Sequence, residues 1–335
     1  WLPGWACSDT LCTMIQQLTI LMYHYVRDAE ATPYPGIKAR SVGGFRGQIE
    51  YVLRHYEPIG AAELVRAVRD ASFRLPRNAV LLTFDDGYRD HFENVLPILR
   101  EHKLSGVFAP VARSVIEGRV LDVNKIHFIL SATSDNVSRA VDELFSLVDR
   151  HRDAHGLRTN TEYWDELAHP NRFDPAEVIF IKRMLQRDLP EQLRAEITDE
   201  LFRKYVTDDE RVFAAELYMN RDELRAMIAA GMTVANHGYD HYWLASLPPH
   251  HQAEQIRRSM AFMADLGVDG CDWFMTYPYG SCNDSLLEIL RTSGCCAGFT
   301  TRFAVATGED CPLRLPRLDT NDLPTRADAE PVEYT

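Results

Sequence analysis

Short apolar runs, each ended by a polar residue, recur along this chain. Leu18–Tyr23 (LTILMY) stops at His24, and Ala79–Phe84 (AVLLTF) stops at Asp85-Asp86-Gly87. Runs of this length predict buried strands. Between them, Ser41 precedes Phe45, Ile49, Val52, Leu53 and Tyr56, an apolar face at helical spacing behind an N-capping residue. Further helices are predicted over 61–70 and 91–102, with a strand over 106–110. The second half resumes the pattern: helix 221–230, strand 232–235 ending at Asn236-His237, helix 251–266, strand 273–277 ending at Pro278-Tyr279-Gly280, helix 284–293, and strand 297–300. Gly231, Gly267 and Gly294 stop the three helices. A tail over 313–323 is read as one more strand. From about 117 to 213 the chain is charged and helical, with two helices broken near Pro190.

Alternating strand and helix predicts parallel strands with helical crossovers, hence an α/β fold. Residues 14–335 are read as one domain of this kind, and 117–213 as a helical cap inserted in it. Met14 lies four residues ahead of the first strand, so residues 1–13 are read as a leader outside the fold.

Composition narrows the partners. The 335 residues carry a formal charge of −13, which argues against non-specific binding to nucleic acid or to anionic lipid. No apolar run is long enough for a transmembrane helix. The first 17 residues hold no Lys or Arg ahead of an apolar stretch, so no secretory signal is read and a cytoplasmic location is expected. The seven cysteines (Cys7, Cys12, Cys271, Cys282, Cys295, Cys296 and Cys311) include no CxxC pair, which suits reduced thiols rather than a disulfide framework or a zinc-thiolate site.

The residues able to do chemistry fall just after strands: His24, Asp85, Asp86, His237 and Tyr279. In a parallel barrel the C-terminal strand ends gather on one face, and topology alone would bring these segments together. Two adjacent carboxylates repel unless a cation lies between them or one has a task; Asp-Gly is also a common turn pair. His237 and His241, four apart, would share a face of a helical turn and could hold one metal. His151 and His155 have the same spacing in a polar run with no strand before it, and read as a solvated helix face. One carboxylate with two imidazoles leaves coordination positions open; zinc suits this set, and iron, cobalt or nickel also fit. The second carboxylate is then free to act as general base. Asp122, Asn124 and Lys125, near the start of the insert, could touch sugar hydroxyls or cap a helix.

Thr83-Phe84-Asp85-Asp86-Gly87 resembles the first motif of the polysaccharide deacetylases, the NodB-homology or carbohydrate esterase family 4 group. His237–His241 resembles their second motif. Tyr277-Pro278-Tyr279-Gly280 resembles their third, with Thr276 where an arginine is usual. Tyr23-His24 resembles the early histidine of the permuted subgroup that includes the poly-N-acetylglucosamine deacetylases. The resemblance covers about residues 18–120 and 210–320. It implies a distorted (β/α) barrel of about seven strands and a metal held by Asp86, His237 and His241. It also implies Asp85 as the base toward the attacking water, a backbone N–H near Tyr279 steadying the oxyanion, and His24 protonating the leaving amine. Arg317, in Leu315–Asp319, is the candidate replacement for the missing arginine, and Asp319 the candidate to orient His24. The expected activity is N-deacetylation of an amino sugar of a bacterial surface glycan or its precursor. With no export signal read, a small or lipid-linked precursor is expected. A deformylase, esterase or other amidase on a small acylated substrate, or a dead glycan-binding relative, are the competing readings.

Overall fold

A computed structural model of the chain describes residues 17–171, 174–332 and 334; the leader read over 1–13, with Cys7 and Cys12, lies outside them. The chain divides into two compact units. Among the described residues, one takes in 17–27, Ala39–Glu117 and those from Ala215 onward; the other takes in Asp28–Lys38 and those between Gly118 and Ala214.

The first unit is built on eight short strands: β1 (Leu18–Tyr23), β2 (Glu57–Pro58), β3 (Ala79–Asp86), β4 (Val107–Pro110), β5 (Thr233–Val234), β6 (Trp273–Thr276), β7 (Cys295–Phe299) and β8 (Leu318–Asp319). They run in the order β5-β4-β3-β1-β8, with β2 also on β3, while β6 and β7 form a second ladder. Every pairing is parallel, as strand–helix alternation predicts. Single parallel bridges, Asn236 to Met275 and Phe299 to Leu315, stand at the two seams between these ladders. β5 is short because the chain there changes neighbours: Ala235 N–H donates to Phe108 of β4, and Asn236 N–H to Phe274 of β6.

Alternation along β3 layers the core. Ala79 and Leu81 face Leu18, Ile20, Val107, Ala109 and Phe299. Val80, Leu82 and Phe84 face the other way, among Tyr23, Phe108 and the helical residues Phe45, Ile49, Val52 and Leu99. Phe84 lies between Tyr23 (ring centroids 5.1 Å) and Phe108 (4.5 Å), stacking β1, β3 and β4 together just below the Asp-Asp pair. At the end of β3 Asp86 enters the left-handed region (φ 70°), and the adjacent carboxylates take different partners.

Three local expectations are corrected. The helix expected over 91–102 opens as a π turn, His91–Val95, before the α-helix Leu96–Glu101. Pro97 has no N–H for a regular i→i−4 bond, so the turn ahead of it is wound differently. His237–His241 is not helical; the segment is irregular and passes through the left-handed region at Gly238 (φ 74°) and His241 (φ 62°). The tail adds only the two residues of β8.

The second unit is helical, with helices Asp122–Ala132, Val137–His155, Asn160–Leu167, Ala176–Arg183 and Glu191–Tyr205; the helix Glu210–Leu217 begins in it. Its segment Asp28–Lys38 had not been assigned to the insert from sequence. Lys125 does not face a ligand: it is buried, and its Nζ pairs with Glu210 (2.9 Å) and Asp199, the two carboxylates that Arg119 also holds. His151 and His155 lie on the helix Val137–His155 and join no group of three ligands among the described residues.

Gly87, at φ 74°, turns the chain out of β3, and a Cβ there would stand 2.7 Å from Pro110 Cα and Cβ. Gly87→Ala is expected to destabilise the fold by about 1–3 kcal/mol through left-handed strain and this clash. A thermal unfolding midpoint equal to the unsubstituted protein's would refute it.

Candidate active site

Sheet register assembles the site. Tyr23 lies beside Phe84, so His24, the next residue out and half-buried, emerges beside Asp85. Leu318 of β8 lies beside Leu21 on the other flank of β1, and this brings in Arg317 from 232 positions beyond Asp85.

Arg317 grips Asp85 with both arms. Nη1 donates to Oδ1 (2.9 Å) and Nη2 to Oδ2 (2.7 Å), while Nη1 also reaches Thr83 Oγ1 (3.1 Å) and Nε the Thr300 carbonyl (2.9 Å). Arg317 is 1% and Asp85 2% exposed. Burial pushes the Asp85 carboxyl up, but Arg317, then His237 and His24, outweigh it and hold it below the usual carboxylate range. Because the unfolded carboxyl titrates near ~3.9, this shift stabilises the fold above that pH. The stabilisation is lost as pH falls through the lower folded value. Thr276 stands where the resemblance would put an arginine, and the guanidinium that forks onto Asp85 is that of Arg317, from the other end of the chain.

Asp86 has a different setting. Its Oδ1 lies 3.3 Å from His237 Nε2 and 3.3 Å from His241 Nε2, and it is buried without a hydrogen-bond partner. The three ligand atoms lie within 4.8 Å of one another. Ligand atoms about 2.0–2.1 Å from one zinc ion at a near-tetrahedral angle sit roughly 3.3–3.4 Å apart, so the donor set fits a cation. The other oxygen, Oδ2, accepts from Tyr88 Oη at 2.5 Å, and Tyr88 stacks on Tyr25 at 4.0 Å. His237 Nδ1 lies 2.7 Å from the Thr276 carbonyl; an N–H donated there leaves the Nε2 lone pair facing Asp86. Burial raises the Asp86 carboxyl; imidazoles of His237 and His241 protonated toward it would more than reverse this and hold it well below the ordinary range.

The loop that carries both imidazoles is pinned from behind. Asn236 Oδ1 accepts from Gly238 N–H (2.8 Å), and Gln255 Oε1 accepts from the N–H groups of Tyr239 (3.2 Å) and Asp240 (2.9 Å). Two left-handed residues therefore do what a helical turn was expected to do, and the ring centroids come to 4.9 Å. Tyr279, itself at φ 58°, packs against the edge of His241 (4.8 Å) and stacks flat on Trp243 (4.4 Å).

Asp319 does not orient His24. Its Oδ1 accepts from the backbone N–H and side-chain Nδ2 of Asn321 (2.8 and 2.7 Å), because β8 pairs it with Met22, two residues short of His24. His24 is held instead through its carbonyl, 2.8 Å from His91 Nε2. Asp85, Asp86, His24, His237, His241, Tyr279 and Arg317 thus gather in one unit, and Asp319 stands aside. Sequence reasoning missed Tyr88, His91 and Thr276. Tyr88 directly follows the Asp-Asp-Gly turn, which could have flagged it; Thr276 stands in the arginine's place at the third motif, and nothing in the sequence marks His91.

The family model described as polysaccharide deacetylase matches residues 74–161 and 195–297, together more than half of the chain. The poly-beta-1,6-N-acetyl-D-glucosamine N-deacetylase of Escherichia coli K12 is 35% identical over 92 residues. That match takes in 27% of this chain and spans only 13% of the relative's length. Among solved structures, the Streptococcus pyogenes deacetylase PplD is similar with a TM-score of 0.56 at 16% identity, over 90% of this chain and 92% of that one. IcaB from Ammonifex degensii is similar with a TM-score of 0.51 at 19% identity, over 91% and 93%. At such identities these structures speak for the fold, and the family model for the rest: the chain belongs to the polysaccharide deacetylase family.

Proposed function

We propose that this chain is a metal-dependent N-deacetylase that hydrolyses the N-acetyl amide of an amino sugar. The observation that carries the reading is the division of labour between adjacent carboxylates. Asp85 is clamped by Arg317, while Asp86 keeps a buried, unpartnered oxygen between two imidazoles. Asp86, His237 and His241 would hold a divalent cation, with zinc first and iron, cobalt or nickel as substitutes. When bound, such an ion supplies Lewis acidity and lowers the pKa of water to about 7.

The chain's own groups supply the proton traffic. Asp85, kept ionised and fixed in direction by Arg317, accepts the proton of the attacking water. The backbone N–H at the Tyr279 turn steadies the oxygen that gains charge as water adds to the acyl carbon. His24 gives a proton to the amide nitrogen as the C–N bond breaks, since an unprotonated amine is a poor leaving group. Water and amide become acetate and a free amino sugar. The name of the Escherichia coli relative supports N-acetylglucosamine as the sugar.

Mass-spectrometric detection of acetate or formate from a panel of N-acetylated and N-formylated sugars, with and without chelator, tests the whole reading. Chelator-sensitive acetate release is expected; release of formate alone, or none with metal bound, would overturn it. The same panel tests size preference, because exclusive turnover of long polymer removes the expectation of a small or lipid-linked precursor. A protein without stoichiometric metal would instead fit a dead, glycan-binding relative.

Two substitutions separate the carboxylates' partners. Asp85→Asn should retain metal and lose turnover by roughly two to four orders of magnitude, whereas His237→Ala should lose the metal itself; elemental analysis beside kinetics distinguishes them. Arg317→Met leaves the Asp85 charge buried and unpaired, so a loss of about 3–5 kcal/mol is expected in unfolding experiments. Turnover should fall as well, with metal content retained. Full activity of Arg317→Met would show that Asp85 needs no clamp.

A further inference from the structure

His24 stands just past the end of β1, where the ladder no longer holds the chain. Two supports do so instead: the backbone of Arg40, which bonds the Tyr25 carbonyl (3.0 Å) and the Arg27 N–H (2.9 Å), and a turn beyond the Asp-Asp-Gly motif, which alone reaches His24. His91 Nε2 lies 2.8 Å from the His24 carbonyl. Asp90 Oδ2 accepts from the Val26 N–H (3.1 Å) and from Arg27 Nε (2.7 Å), and its Oδ1 faces Arg27 Nη2 at 2.7 Å. Asn94 Nδ2 donates to the Val26 carbonyl (2.8 Å). Three residues spaced i, i+1 and i+4 thus tie down His24, Val26 and Arg27. The π turn His91–Val95 belongs to this clamp, and irregular turns of this kind are frequent at functional sites. His91 is fully buried, so it touches no substrate. Burial pushes its imidazole down to about 4, which leaves it neutral. A neutral ring has one N–H, and the His24 carbonyl places it on Nε2.

Resting on the reading of His24 as the proton donor, we propose that Asp90, His91 and Asn94 are positioning residues that set His24 at the leaving nitrogen, with His91 the deciding member. Asp85 and Asp86 end β3, and the clamp follows within a turn of them, so base, ligand carboxylate and the residues that hold the acid share one short stretch of backbone. A displacement of about 1 Å in a reacting group can cost on the order of a hundredfold in rate.

The test uses the leaving group. An N-acetylated amino sugar needs a proton on its departing nitrogen; an activated aryl ester such as p-nitrophenyl acetate expels a stable phenolate and does not. His91→Leu in the full chain is expected to lower kcat on the amide by about 10–100-fold. The ester rate and metal content should stay near those of the unsubstituted protein. His91→Gln, whose amide nitrogen can reach the Nε2 position, should recover much of the amide rate. Asn94→Ala, a milder change should His91→Leu fold poorly, should show a smaller loss with the same selectivity for the amide. Equal loss on both substrates, or none on the amide, overturns the proposal. His24→Ala separates the two ideas. An amide-selective loss there, without one in the clamp variants, overturns the positioning alone. No selectivity in His24→Ala removes the proton-donor reading as well.

Discussion

A guanidinium and a carboxylate shut away from water make a costly pair, because each loses its hydration and regains it only through well-aligned partners. Arg317 and Asp85 meet that condition: two parallel hydrogen bonds join them, and Thr83 and the Thr300 carbonyl take up further donors. Such a pair is seldom the cheapest way to stabilise a core. What it secures here is a buried carboxylate that stays ionised and points one way, which a base needs. The strand ladders converge on this contact, since β1 must separate β3 from β8 by one strand's width for the fork to reach.

Around it, polar groups are committed by their neighbours. Tyr88 occupies one oxygen of Asp86 and leaves the other facing the imidazoles. Thr276 takes the far nitrogen of His237, and its carbonyl comes from the end of β6, where family motifs would have placed an arginine. Gln255 and Asn236 hold the backbone that carries His241 in the left-handed region. Each contact removes one alternative use of a ligand atom. A site built this way can hold a cation with little rearrangement, because the conformational cost has been met in folding.

Membership of the polysaccharide deacetylase family rests on likeness to the family model over more than half of the chain, and the fold on structures of low sequence identity. The short reach of the Escherichia coli match into that much longer relative leaves the substrate to chemistry. The mechanism proposed follows from where protons must go when an amide is cut, and the residues near the strand ends have the acids and bases for each transfer.

The sequence by itself determined the parallel α/β class, the strands that end at His24 and Asp85-Asp86, and the residues able to ligate or move protons. Those features are local: apolar run length, helix stops and motif spacing are written in neighbouring positions. Tertiary structure alone decided the partnerships. It gave Arg317 to Asp85 and took Asp319 away to Asn321, because register across β1 is set by the pairing of distant strands. It brought His237 and His241 together through left-handed backbone rather than a helix, since Gly238 and the Gln255 contacts could be read only with both segments in place. It also assigned His91, unremarkable in the sequence, to the carbonyl of His24. Hydrogen bonds between residues tens to hundreds of positions apart leave no periodic trace in a chain, and only packing shows which of many polar side chains has a partner.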